Sequence, residues 1–477
     1  MPNDSLTARL LAVPEQVAWP VYAAVIDTPL YVILLILTIL LGSGLFVVSP
    51  RLICSSLRRP FDLTRVSWIQ EIHYYMLTTS NIRLILCQVY IFLHVVAPKP
   101  RSPLPSEKTY ITTTPNGSIS ASRQLPCWFD RWVAEGKLAK SQLAARNEAF
   151  VLPDISSIEP AEVQVSVVIP AYNEEKRIIP ALEEAVEYLD KRFGRPDGNN
   201  EKSENKKNKR VASSTTQHHR QVFRRAKEGT KQEEEAVGYE ILIVNDGSRD
   251  KTMDVVLEFS RKHNLHDILR FVTLEKNRGK GGAVTHGFRH VRGEYVVFAD
   301  ADGASRFSDL GRLIEGCEDV VDASNRGVAI GSRGHLVGSE AVVKRSALRN
   351  FLMKSFHFVL MILTPPATSR IRDTQCGFKL FSRAALPHII PYMHMEGWIF
   401  DIEMLMLAES APPTPVVASD GTVIGVAPGI RVAEVPIDWH EVEGSKMSLI
   451  RDSINMALGL AILRGSWMFG VYRRRTT

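Results

Sequence analysis

The chain has 477 residues, enough for one large or two ordinary domains. Its 58 lysines and arginines against 52 acidic residues leave a net charge of +6, too mild to argue for nucleic acid by itself; a basic surface equally suits an anionic membrane or a diphosphate ligand. Five cysteines (Cys54, Cys87, Cys127, Cys317, Cys376) contain no Cys-x-x-Cys pair, which argues against a zinc site or disulfide framework and for reduced thiols in a cytosolic domain.

After a short N-terminus (1–29), residues 30–48 hold no charge and are rich in Leu, Ile and Val. At about 1.5 Å per residue they reach roughly 28 Å, the thickness of a bilayer core. A buried core helix is the lesser alternative, because charge-free runs this long are uncommon in soluble domains. No basic leader or cleavage site marks a signal peptide. Asp27 precedes the run and Arg51, Arg58 and Arg59 follow it. The positive-inside bias therefore puts the rest of the chain in the cytosol. A second apolar run, 84–97, is shorter and broken by Gln88 and His94, which suits an interfacial or re-entrant piece.

Residues 49–150 read as a cytosolic linker around that run, Pro-, Ser- and Thr-rich from 98 and helical over 128–149. A catalytic domain is expected over 151–452. Residues 194–238 are polar and poor in apolar side chains, so they predict a solvated, disordered insert inside that domain. Its basic runs could serve as a nucleic-acid arm, but charge runs are usually solvated loops. No nucleic-acid partner is expected.

Four short apolar strands then end in polar tips. Residues 165–169 are β-branched, Pro170 ends the strand, and Tyr172-Asn173-Glu174 sits at its tip before a helix over 178–192. By itself this is either a turn or a ligand loop. The strand 240–244 ends in Asn245-Asp246-Gly247-Ser248 and opens a helix, with Asp250 and Thr252 available as caps. Asp246 can accept hydrogen bonds from a ribose or base, or act as a cap. After the strand 269–274, Asn277-Arg278-Gly279-Lys280-Gly281-Gly282 offers close backbone approach and a helix N-terminus to an anion, with Lys280 suited to a diphosphate. The strand 295–299 leads into Asp300-Ala301-Asp302. An EF-hand is excluded, since Gly303 stands at loop position 4 rather than 6 and no glutamate stands at position 12. Two carboxylates with diphosphate oxygens suit Mg²⁺ or Mn²⁺, acting as a Lewis acid on a leaving nucleoside diphosphate.

This order of motifs resembles the family 2 glycosyltransferases of the GT-A fold. The resemblance implies an α/β nucleotide-diphospho-sugar transferase fold, here with an N-terminal transmembrane helix and interfacial amphipathic helices. It implies that Pro170, Tyr172 and Glu174 grip the nucleotide, with Tyr172 stacking on the base, and that Asp246, Lys280 and Asp300 complete the donor site. Further segments narrow the resemblance: Gly331-Ser332-Arg333, Val343 through Phe351, Asp373-Thr374-Gln375-Cys376-Gly377-Phe378-Lys379, Glu396-Gly397-Trp398-Ile399-Phe400-Asp401 and Trp439 through Lys446. They resemble the members that move glucose from UDP-glucose to dolichyl phosphate with inversion, for N-glycosylation at the endoplasmic reticulum. Gln375, Trp398 and Lys446 then fall in the sugar pocket or a closing loop. Asp401 and Asp373 join Asp300 and Asp302 as catalytic candidates.

A lipid acceptor agrees with the residues. Residues 344–363 combine Lys344, Arg345, Arg349 and Lys354 with aromatic and aliphatic side chains, the make-up of an interfacial helix. A C-terminal segment, 453–477, is apolar over 454–467 except at Asn455 and Arg464, and then basic; it reads as membrane-associated. Ordinary core packing is the alternative for both helices. A phosphate monoester is largely ionised at neutral pH, with a second pKa of about 6, so it needs holding more than deprotonation. Arg333, Arg345 and Arg349 are the candidates. Two rival readings are a dolichyl-phosphate mannosyltransferase using GDP-mannose and a non-catalytic membrane scaffold.

Overall fold

Val163–Ala171 alternates nothing: Val165, Val167 and Val168 are fully buried, as a central strand covered on both faces requires. In the computed structural model this strand, β3, lies near the middle of a seven-stranded sheet. The structure describes residues 86–146, 158–196, 236–336, 347–417, 422–442 and 449–474. The expected transmembrane run 30–48, most of the polar insert, Arg345 and Lys446 lie outside these residues.

Strand order is β11–β7–β8–β6–β3–β4–β5, comprising β4 (Tyr239–Asn245), β5 (Leu269–Thr273), β6 (Gly293–Ala299), β7 (Val328–Ser332), β8 (Phe378–Ser382) and β11 (Val432–Pro436). β3 pairs in parallel with β4 and β6, β4 with β5, and β7 with β11. β8 alone runs against its neighbours β6 and β7. All the expected strands over 165–299 form. The helix Ile178–Arg192 matches its expected bounds, and buries Ile178, Leu182, Ala185, Val186 and Leu189 on the sheet. Full burial of each Ile, Leu or Val among them contributes about 1.5–3 kcal/mol.

The parallel arrangement puts the tips of β3, β4 and β6 on one edge, which is where open α/β sheets hold ligands. The antiparallel β8 then returns residues 373–377 to that same edge.

The stretch from residue 98, expected as a linker, is built onto the sheet. β1 (Thr109–Tyr110) and β2 (Arg123–Gln124) pair with each other. Ile111 and Phe271 exchange both backbone hydrogen bonds, at 3.0 and 2.9 Å, extending the sheet past β5. Tyr110, Leu125, Trp128 and Trp132 are buried, and the Trp128 indole donates to the Phe288 carbonyl at 2.7 Å. The helix Trp128–Arg146 follows.

Two compact units result, one of residues 98–346, 357–445 and 472–477, the other of 1–97, 347–356 and 446–471. The first holds the sheet. In the second, residues 86–96 are helical and Leu93 packs at Gly465 on the helix Leu449–Met468, where an added Cβ would stand 3.2 Å away. That helix starts before the expected boundary at 453. Leu86, Ile91 and Val95 are exposed on one of these helices, and Ile454, Leu458 and Met468 on the other. No described helix is long and apolar enough to cross a membrane.

Candidate active site

The β3 and β4 tips interlock through short polar side chains. Asn173 takes a positive φ of 54°, which asparagine tolerates better than most residues. Its amide donates to Ser248 Oγ at 2.9 Å, and its Oδ1 accepts from the Arg249 amide at 2.8 Å. The Glu174 amide donates to Thr252 Oγ1 at 2.8 Å and the Glu175 amide to Asp250 at 3.1 Å. Asp250 also accepts from the Thr252 amide, while Lys251 rather than Asp250 or Thr252 holds the cap position of the helix Thr252–Lys262. Glu174 is held bidentately by Arg177, both contacts at 2.9 Å. Tyr172 projects from this frame and is exposed; Pro170 sits half-buried within β3.

Asp246 is buried at the β4 tip. Its carboxylate accepts from the Arg278 amide at 2.6 Å, and its carbonyl accepts from Asn277 at 3.0 Å. Burial pushes its pKa up to about 6, against the pull of the Arg278 and Gly279 amides. This carboxylate therefore fastens the glycine-rich loop to β4. It does not cap the helix Thr252–Lys262 that follows its own loop.

The loop opens the helix Gly279–Phe288. Lys280 Nζ lies 2.6 Å from Asp300 Oδ1. Burial pulls the ammonium down, but Asp300 and Asp401 outweigh it and leave Lys280 above the usual lysine range. Gly377 faces Asp300 so closely that an added Cβ would lie 1.9 Å from Oδ2. The Cys-Gly-Phe-Lys run thus needs its glycine to admit this carboxylate. Asp302 Oδ1 accepts from the Ala304 amide at 3.1 Å, fixing the turn after β6.

The donor set at this turn is hard oxygen, as Mg²⁺ or Mn²⁺ prefers, and Gly377 leaves the carboxylate room. Among the described residues no three His, Cys, Asp or Glu side chains group as a metal cage. The arrangement fits a cation held by Asp300 and Asp302 with its remaining positions taken by ligand oxygens.

Asp401 stands elsewhere in character. It opens the helix Phe400–Glu409, is 2% exposed, and pairs with Lys379, whose side chain is fully buried. Lys379 Nζ also donates to the Cys376 carbonyl at 2.6 Å. Burial pushes the Asp401 pKa up even beside that ammonium. Asp401, a catalytic candidate from its motif, lies beneath the surface. Nearby Trp398 is exposed.

Arg333 and Asp373 form a fork, Nε–Oδ2 at 2.7 Å and Nη2–Oδ1 at 2.8 Å, with the Arg333 amide adding a third contact at 2.9 Å. Burial opposes ionisation of Asp373, but Arg333 outweighs it and holds the carboxyl below its ordinary range. The Arg333 guanidinium also lies over the Trp439 ring, 5.5 Å from its centroid. Glu434 on β11 accepts from Ser332 at 2.6 Å and from the Asp373 amide at 3.1 Å, joining β7, β11 and the loop before β8. Gln375 is half-buried in that loop. Arg349 lies on the helix Ala347–Leu363.

So Lys280 meets Asp300 after β6, Asp246 fastens the loop that carries Lys280, and Arg333–Asp373 links the end of β7 to the loop before β8. Sequence reasoning missed Lys379, the Arg278–Glu396 pair and the packed arm from residue 98. A lysine inside the buried strand Phe378–Ser382 was a usable signal, because lysine is almost never fully buried unless paired.

A glycosyl transferase family 2 model matches residues 221–386. The dolichyl-phosphate β-glucosyltransferase of Saccharomyces cerevisiae is 36% identical over 397 residues, covering 82% of this chain and 92% of that protein. The enzymes of the same name from Mus musculus and Homo sapiens are each 34% identical, covering 75% and 70% of this chain and 90% and 85% of theirs. Among solved structures, the glucosyl-3-phosphoglycerate synthase of Mycobacterium tuberculosis aligns with 65% of this chain and 80% of that chain at 14% identity and a TM-score of 0.37, too low to carry any argument.

Proposed function

The chain belongs to the dolichyl-phosphate β-glucosyltransferases of glycosyl transferase family 2, and from that premise we propose that it transfers glucose from UDP-glucose to dolichyl phosphate with inversion at C1. The mixed sheet with its polar edge agrees with the GT-A architecture of that family. The observation that carries the reading is the Lys280–Asp300 pair, on a glycine-rich loop that buried Asp246 fastens to the tip of β4.

Each residue then has a chemical task. Asp246 accepts from the nucleoside, and Tyr172 stacks on uracil, with Pro170 and Glu174 shaping that loop. Lys280 neutralises the diphosphate. Asp300 and Asp302 would hold Mg²⁺ or Mn²⁺, which when bound supplies Lewis-acid stabilisation of the leaving group. Trp398 and Gln375 border the glucose. Arg333, aimed by Asp373, receives the acceptor phosphate. The phosphate is already an anion, so positioning and charge neutralisation do most of the chemistry. Asp401 supports the site through Lys379 rather than touching sugar.

Residues 30–48 anchor the chain in the endoplasmic reticulum membrane with the sheet domain on the cytosolic side. The exposed apolar side chains of residues 86–96 and of the helix Leu449–Met468 fit the membrane surface.

The test is incubation of the purified full chain with labelled UDP-glucose or GDP-mannose and dolichyl phosphate. Glucosyl lipid from UDP-glucose, with a β anomeric centre, is the expected product. Labelled lipid from GDP-mannose alone would replace the donor assignment, and no lipid from either would favour a scaffold.

A further inference from the structure

Arg278 sits at the meeting point of four segments. Its amide donates to Asp246 at the β4 tip. Its Nε donates to Glu396 Oε1 at 2.8 Å, and its Nη2 donates to that same oxygen and to the Arg101 carbonyl at 3.1 Å. The side chain is 3% exposed, against 28% for Glu396. The two loops touch through their backbones as well. Gly282 donates to the Glu396 carbonyl at 3.1 Å. A Cβ on Gly279 or Gly281 would stand 2.7 or 2.9 Å from that carbonyl oxygen, and one on Gly281 would stand 2.5 Å from Phe400 Cβ. The glycines therefore bring the loops together, and the buried ion pair locks them.

Glu396 is two residues before Trp398 and five before Asp401. Locking Glu396 thus fixes where Trp398 stands relative to Lys280 and Asp300. We infer that Arg278 is a positioning residue for the glucosyl half of the donor: through Glu396 it sets Trp398 against the glucose, while the nucleotide half is held by Asp246 and Lys280. Because the contact to Asp246 uses the Arg278 backbone amide, changing the side chain leaves that contact in place. This inference rests on the assignment of the site to UDP-glucose.

The roles separate by substrate. Arg278→Gln should weaken UDP-glucose, read as apparent KM or turnover, by roughly tenfold or more, the value of a charge-assisted contact. Affinity for UDP and KM for dolichyl phosphate should stay close to wild type. Arg278→Lys should recover part of the loss, since it restores charge without the fork. Arg278→Gln with Glu396→Gln should be no worse than the poorer single variant, because the two act as one unit. If Arg278→Gln does not fold, Glu396→Gln carries the test, its side chain being partly exposed.

Calorimetry with UDP, steady-state kinetics on both substrates and thermal unfolding make up the experiment. Parallel loss of UDP affinity, donor use and acceptor use would reduce Arg278 to a fold element and overturn the inference. Normal UDP-glucose kinetics in both variants would overturn it equally. A wild-type chain that ignores UDP-glucose would instead sink the donor assignment beneath it.

Discussion

Two lysine–aspartate pairs each tie a helix to the sheet, one at the turn after β6 and one on β8, and they differ in what surrounds them. Lys280–Asp300 keeps 17% and 34% of its side chains exposed; Lys379–Asp401 keeps 0% and 3%. The first pair can exchange partners for a ligand's phosphate or a cation. The second is sealed, with Lys379 donating to Asp401 and to the Cys376 carbonyl. Chemical identity therefore does not assign a role: exposure does. The same contrast separates the donor edge, where polar groups end strands, from Arg333–Asp373, a fork that is already assembled.

The contrast is broken most forcefully by removing each lysine in turn. Lys379→Met should leave a buried carboxylate without a partner and cost about 3–5 kcal/mol of stability. Lys280→Met should change stability by less than about 1 kcal/mol, since its pair is partly exposed, while glucosyl transfer falls severely. Denaturant unfolding beside transfer assays reads both. Comparable stability losses in the two variants would erase the distinction.

Next in size is the cation. Asp302→Asn should lower turnover at least about a hundredfold with the fold intact, because charge stabilisation at the leaving diphosphate is lost. Circular dichroism checks the fold, and titration with EDTA checks the metal. Transfer at a normal rate in EDTA would remove the metal role from both aspartates.

The acceptor side should respond more mildly. Arg333→Lys keeps a charge but not the fork, so KM for dolichyl phosphate should rise by roughly tenfold while UDP affinity holds. If the fork serves only the fold, the variant should lose stability with no selective change in acceptor use.

Much of the donor edge was legible before any coordinates because each piece is local. A buried strand followed by Tyr172–Glu174, Asp246 or Asp300 writes strand, tip and chemistry into about ten consecutive residues. The helix Ile178–Arg192 was equally readable, since its apolar stripe repeats at helical spacing. What failed was non-local. Arg101 and Glu107 look like loop residues, yet Glu107 is fully buried, and accepts from the Leu104 and Glu275 amides. No periodicity announces a partner more than 160 residues away. The Pro- and Ser-rich arm therefore read as a linker. Asp401 was recognisable as a catalytic candidate from its motif, but a motif does not state depth. Only the register of β8 against β6 shows that Lys379 lies beneath it, opposite Phe298.

Asp246 gives the finest test, because one residue should move stability and binding in opposite directions. Its pKa in the fold is about 6, above the ordinary aspartate value of 3.8. An acid with a raised pKa makes the folded state relatively most stable below the unfolded value, and that advantage is lost as pH rises through about 6. At pH 7.5 the ionised carboxylate is therefore a burden on the fold. Asp246→Asn removes the charge and keeps an oxygen for the Arg278 amide. The variant should unfold at a higher temperature than wild type at pH 7.5, and the gap should close toward pH 4. Binding should run the other way. If the ionised carboxylate accepts from the nucleoside, wild-type affinity for UDP-glucose should weaken as pH falls through about 6, and the variant should bind more weakly with little pH dependence. UDP-glucose is the better probe than UDP, since a terminal phosphate titrates near pH 6 itself. Wild-type affinity that stays flat between pH 5 and 8 would detach Asp246 from the nucleoside and leave it as the fastening between β4 and the glycine-rich loop.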